Sequence, residues 1–125
     1  MITAPFFRHA AKVAGNSGYL FQLGAVVVKG HNVLSSGHNS VNTHTKVNNF
    51  PSSRHAEMDA ILKVLKKHDG LQKLTGAKLY VTRITKTGRT TMAKPCKKCL
   101  ALAKAVGIKK IYYTTETSVE ILKLY

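Results

Sequence analysis

At 125 residues the chain is near the commonest size of a single domain, able to bury one core but not two. A hydrophobic content of 44% is ordinary for a globular protein, and no apolar run approaches the roughly 18 residues of a membrane span, so a soluble protein without membrane partners is expected. The balance of 20 Lys+Arg against 5 Asp+Glu, a net charge of +15, attracts polyanions such as nucleic acid and phosphorylated small molecules alike.

The N-terminus, Met1 to Arg8, has no basic region followed by an apolar stretch, which predicts no secretory signal and an intracellular, cytoplasmic setting. Residues Pro5 to Ala14 read as a first helix with Phe6, Ala10 and Val13 near one face, stopped by Gly15-Asn16-Ser17-Gly18. Phe21 to Lys29 is short and rich in β-branched residues, and Lys29 to Asn32 turns it into Val33 to Gly37, giving a hairpin. From His38 to Arg54 the polar, aperiodic composition predicts a long loop. Met58, Ile61, Leu62 and Leu65 recur at helical spacing and predict an amphipathic helix from His55 to about His68, ended by Asp69-Gly70.

Ala77 to Ile84 reads as a strand that Thr87-Gly88 can turn back through Arg89 to Met92. Lys97 to Val106 is helix-compatible and stopped by Gly107. Lys109 to Thr114 reads as a further strand, and Ser118 to Tyr125 as a short terminal helix. With no linker, repeat or low-complexity tract, the chain reads as one domain over residues 1–125, with helices packed on a central sheet.

The only two cysteines stand three positions apart, as Cys96-Lys97-Lys98-Cys99, too few for a disulfide framework and better read as metal ligands or a redox pair. Zinc prefers imidazole nitrogen and thiolate sulfur, and a catalytic zinc keeps three protein ligands so that one position stays open. His55, Cys96 and Cys99 supply such a set. Pro95 suits a helix entrance, where the helix dipole favours ionised thiolates. Glu57, two residues after His55, can flank the metal and shuttle a proton between water and a substrate nitrogen.

His55-Ala56-Glu57 followed by Pro95-Cys96-Lys97-Lys98-Cys99 resembles the His-x-Glu and Pro-Cys-x-x-Cys signature of the cytidine and deoxycytidylate deaminase superfamily of zinc-dependent nucleobase deaminases. The resemblance spans roughly Leu23 to Tyr113. It implies an α/β fold, a three-layer helix–sheet–helix sandwich with a mixed central sheet, here abbreviated at its C-terminal part. It implies a Zn2+ cofactor on His55, Cys96 and Cys99, Glu57 as the catalytic acid/base, and attack of hydroxide at the ring carbon bearing the amino group, with ammonia leaving. Asn39 and the Ala56 backbone amide would contact substrate, and a homo-oligomer would be unsurprising. Three features depart from the pattern: Leu100 after the second cysteine, the stretch from Arg83 to Lys94 before Pro-Cys, and the short chain beyond Thr115.

The expected reaction is hydrolytic deamination of a cytosine-type nucleotide or nucleoside, dCMP or CMP being the type. A deaminase acting on a base within RNA or single-stranded DNA is the alternative, supported by the charge. A third reading, a non-catalytic zinc-stabilised nucleic-acid-binding module, is opposed by a ligand set of three with a well-placed Glu.

Overall fold

Strict alternation along three strands decides the architecture. In β1 (Phe21–Lys29), Ala25 and Val27 enter one core while Val26 and Val28 enter another. The same division separates Leu79 and Val81 from Tyr80 in β5 (Lys78–Thr85), and Ile111 and Tyr113 from Tyr112 in β7 (Lys110–Thr114). A sheet apolar on both faces must be covered on both, so helices lie on either side. The computed structural model describes residues 4–14, 21–47, 50–85 and 89–124. It shows the mixed α/β sandwich that the sequence leads one to expect.

The main sheet has the order β2-β1-β5-β7-β8, with the two-residue β6 (Thr90–Thr91) paired to β5; β2 is Asn32–His38 and β8 is Val119–Lys123. β5 and β7 are parallel, and the other pairs are antiparallel. One face carries α1 (Ala4–Ala14), held by Phe6 and Phe7 against Tyr80, which itself stacks on Tyr112 at 4.7 Å between ring centroids. Such aromatic pairs add about 0.5–1.5 kcal/mol beyond the area they bury. The opposite face carries α2 (Ala56–Leu65) and α4 (Lys97–Ala105), with the five-residue α3 (Gly70–Leu74) beside them.

α2 lies close to the sheet because both surfaces are small. Its buried face is Ala56, Ala60, Ile61 and Val64, and a Cβ on Gly37 of β2 would lie 2.6 Å from Ala60 N and 2.7 Å from Ala56 O. The periodicity of Met58, Ile61, Leu62 and Leu65 had pointed to a face rotated from this one; alanines carry little weight in such a pattern although they set the helix–sheet distance. Two lysines, Lys63 of α2 and Lys67 just beyond its end, also reach β2. Lys63 Nζ donates to Ser36 O at 2.9 Å and Lys67 Nζ to Leu34 O at 3.3 Å, which covers backbone acceptors that another strand would otherwise meet.

Three sequence expectations need correction. Residues 38–54 form no simple loop: β3 (Ser40–Val47) and β4 (Phe50–Arg54) pair as a separate two-stranded sheet, whose polar composition hid it. The second helix ends at Leu65 rather than His68, and the chain re-enters α3 through Asp69, which adopts a left-handed φ of 58°. The tail is a strand, not a helix: Val119–Lys123 pairs antiparallel with β7, because Val119, Ile121 and Leu122 alongside β7 complete an edge. Among the described residues β8 follows β7 and no helix does. The first hairpin, the β5–β6 return and α4 stand as expected, while the Gly15–Gly18 stop and the Thr87-Gly88 turn lie outside the described residues. Among the described residues no helix is long and apolar enough to cross a membrane.

Candidate active site

Both segments that carry the candidate ligands end their loops as helix N-caps. His55 caps α2 with φ −76° and ψ 147°, and Cys96 caps α4 with φ −71° and ψ 169°. An N-cap side chain normally turns back to accept from an exposed amide of the first turn. Neither does so here, which leaves the imidazole and the thiol to face one another. Because His55 is extended rather than helical, the rule that i and i+2 point apart does not govern His55 and Glu57. Cys99, three residues into α4, rises on the same side as Cys96.

The result is a cluster in which one donor atom from each of His55, Cys96 and Cys99 lies within 4.8 Å of the others. His55 Nδ1 stands 3.5 Å from Cys96 Sγ and 3.5 Å from Cys99 Sγ. For a tetrahedral zinc with ordinary Zn–S and Zn–N bonds, the nitrogen and each sulfur should stand about 3.6 Å apart. The donor set, its spacing and its count of three therefore fit a zinc ion with one position left open. Cys96 is exposed and Cys99 buried, so the cluster opens toward solvent on the Cys96 side.

Burial decides the electrostatics. Glu57 is only 3% exposed, and desolvation pushes its carboxyl up against the lowering effects of its own backbone hydrogen bond, Cys99 and the His55 charge. Burial first, and the neighbouring Glu57 charge next, push the Cys99 thiol up as well. The helix dipole expected to hold this thiolate ionised does not overcome those effects. A cation among the ligands would reverse them, which is the behaviour of a site built for a metal.

The remaining predicted residues gather at the same end of the sheet. Ala56 is the first residue of α2, where backbone N–H groups lack intrahelical partners. Asn39 follows β2, 9% exposed, and brackets Leu23: its N–H donates to Leu23 O at 3.2 Å and its Oδ1 accepts from Leu23 N–H at 3.0 Å. The second bond anchors the side-chain carbonyl oxygen of Asn39 to β1. Lys94, Lys97 and Lys98 are exposed around the cysteines. One side chain escaped the sequence reading. Arg83 of β5 lies beside Leu23 on the face that carries α2 and α4, and the alternation Leu79, Val81, Arg83 was the signal that could have placed it there.

Comparison with known proteins gives a coherent result. Residues 3–115 match the family model described as the cytidine and deoxycytidylate deaminase zinc-binding region. Among solved structures, the dCMP deaminase from the cyanophage S-TIM5 in apo form is 26% identical, with a TM-score of 0.67 over 93% of this chain and 84% of that one. The same cyanophage enzyme in complex with dCMP and dUMP is 25% identical, with a TM-score of 0.63 over 90% and 79%. Cytidine deaminase from Burkholderia pseudomallei is 18% identical and shares the fold, with a TM-score of 0.72 over 99% of this chain and 94% of that one. No curated protein matches the chain.

Proposed function

The chain belongs to the cytidine and deoxycytidylate deaminase family, and from that membership we propose that it converts a cytosine-type nucleotide or nucleoside, dCMP or CMP being the type, to the uracil product with release of ammonia. The observation that carries the reading is the meeting of His55, Cys96 and Cys99 in three-ligand zinc geometry next to a buried carboxylate, Glu57. When bound, zinc supplies Lewis acidity that makes water a nucleophile near neutral pH.

Glu57 accepts a proton as water adds to the ring carbon, and returns it to nitrogen so that the C–N bond breaks and ammonia departs. Its burial serves this role, since desolvation brings a carboxyl nearer to neutrality and lets it both take and give a proton. The Ala56 N–H, at the positive end of α2, donates to the base and orients it. Asn39, its Oδ1 held by the Leu23 N–H, binds the sugar.

The test is a panel of cytidine, dCMP, CMP, dCTP and a short single strand incubated with zinc-loaded protein, with ammonia release followed. Turnover of the free cytosine compounds is expected to outpace that of the strand. No ammonia from any of them would refute the reading, and faster release from the strand would reassign the substrate to nucleic acid.

A further inference from the structure

The stretch from Arg83 to Lys94, one of the three departures from the family pattern, has to be returned to the sheet before Cys96 can meet His55. β5 and β7 pair in parallel only as far as Val81 opposite Tyr113. β1 lines the other edge of β5 along its whole length, so β6 takes over the edge that β7 leaves, with Arg83 opposite Thr91 and Ile84 opposite Thr90. Residues 92–96 then run to α4 without belonging to a helix or a strand.

Thr114, the last residue of β7 and 5% exposed, stands at this junction. Its Oγ1 accepts the Arg83 backbone N–H at 3.3 Å, and the same hydroxyl donates to Thr91 O at 3.0 Å. Its carbonyl accepts the Ala93 N–H at 2.9 Å. The ends of β5, β6 and β7 are thus joined at one residue, and Ala93 is three positions ahead of Cys96. Ala93 and Pro95 are both buried, so the segment is seated as well as bonded. A backbone N–H only donates and a carbonyl only accepts, so a side chain that serves both must itself accept and donate. A threonine hydroxyl does this; valine, of the same shape, does neither.

We propose that the Thr114 hydroxyl is a positioning group for the metal ligands, fixing the start of the segment that carries Cys96 to His55. The inference rests on the reading of His55, Cys96 and Cys99 as zinc ligands. A metal site works within about 0.5 Å of its productive geometry, and the 3.5 Å between Cys96 Sγ and His55 Nδ1 already matches what zinc requires. Without the hydroxyl, Thr91 O and the Arg83 N–H lose their shared partner, and the path into Cys96 is held by the Ala93 bond and packing alone.

Zinc affinity, measured by competition with a chelator under conditions where the metal-free proteins are folded, tests this without turnover. Thr114→Val is expected to weaken zinc binding about 10-fold and, with cobalt(II) in place of zinc, to reduce the thiolate-to-metal charge-transfer absorption. Thr114→Ser, which keeps the hydroxyl and removes the methyl group, should match wild type in both. A purely structural role would lower the Tm of metal-free Thr114→Val and leave its zinc affinity and cobalt spectrum as in wild type; that result would overturn the proposal. Zinc binding weakened in Thr114→Ser would overturn it too, even if Thr114→Val did not fold. Cys96→Ser tests the ligand reading separately: it should lose tight zinc binding, and a Cys96→Ser protein that holds zinc like wild type would sink that reading and the proposal with it, whereas an unaltered Thr114→Val site refutes the positioning alone.

Discussion

Gly37 joins the fold to the site, and replacing it should disturb both. A Cβ there would stand 2.6 Å from Ala60 N, 2.7 Å from Ala56 O and 2.9 Å from Asp59 Cβ, whereas ordinary contact begins at 3.4 Å. Two of these neighbours are backbone atoms of α2, so no rotamer change relieves them. Gly37→Ala must therefore lift the start of α2 by about 0.8 Å, from 2.6 to 3.4 Å. Overpacking of this kind costs about 1–3 kcal/mol, which for a domain of this length lowers Tm by roughly 3–15 °C. His55 immediately precedes the displaced turn. If the shift is transmitted in full, its Nδ1 moves from 3.5 Å to more than 4 Å from the sulfurs, beyond the roughly 3.6 Å that a tetrahedral zinc asks for. Thermal denaturation and metal analysis of the purified variant are the assays, with lowered Tm and substoichiometric zinc expected. A Gly37→Ala protein that melts within about 1 °C of wild type and holds its full zinc would refute the packing argument.

Two further predictions follow from the ionisable groups. Because burial and the Glu57 charge push the Cys99 thiol up, that proton must leave when zinc binds; calorimetric titration in buffers of different ionisation enthalpy should show proton release, and zinc affinity should rise with pH. Titrations identical in all buffers would contradict it, and chelation of the metal should lower Tm by removing a ligand that binds only the folded state. On the opposite face, burial and the adjacent Tyr112 push Tyr80 up to about 12 from 10.0. The folded state thus holds this proton more tightly than the unfolded state, so stability present below pH 10 is lost as pH rises toward about 12. Tyr80→Phe, which keeps the ring stack, should lose less stability over that interval, and denaturant melts that fall equally in both proteins would argue against the assignment.

How much of this was legible in the sequence depends on which physical signal each element carries. β1, β5 and β7 announce themselves through runs such as Ala25-Val26-Val27-Val28 and Leu79-Tyr80-Val81, because strands buried on both faces are apolar throughout. The cluster of His55, Cys96 and Cys99 was legible because zinc restricts its donors to few residue types and the two halves of the signature occur together. β3 and β4 were not, since Asn, Thr and Ser give no alternation to read. β8 was missed for a different reason: its partner β7 decides its conformation, and a five-residue segment with Ile121 half exposed has no intrinsic preference strong enough to reveal it.

The most direct test compares wild type with Glu57→Gln, both loaded with zinc, for ammonia release from dCMP. The substitution keeps the shape of the side chain and removes its ability to carry a proton, so zinc content and melting behaviour should persist while the rate falls about 10²–10⁴-fold. A variant that releases ammonia as fast as wild type would contradict the role of the buried carboxylate beside the three ligands.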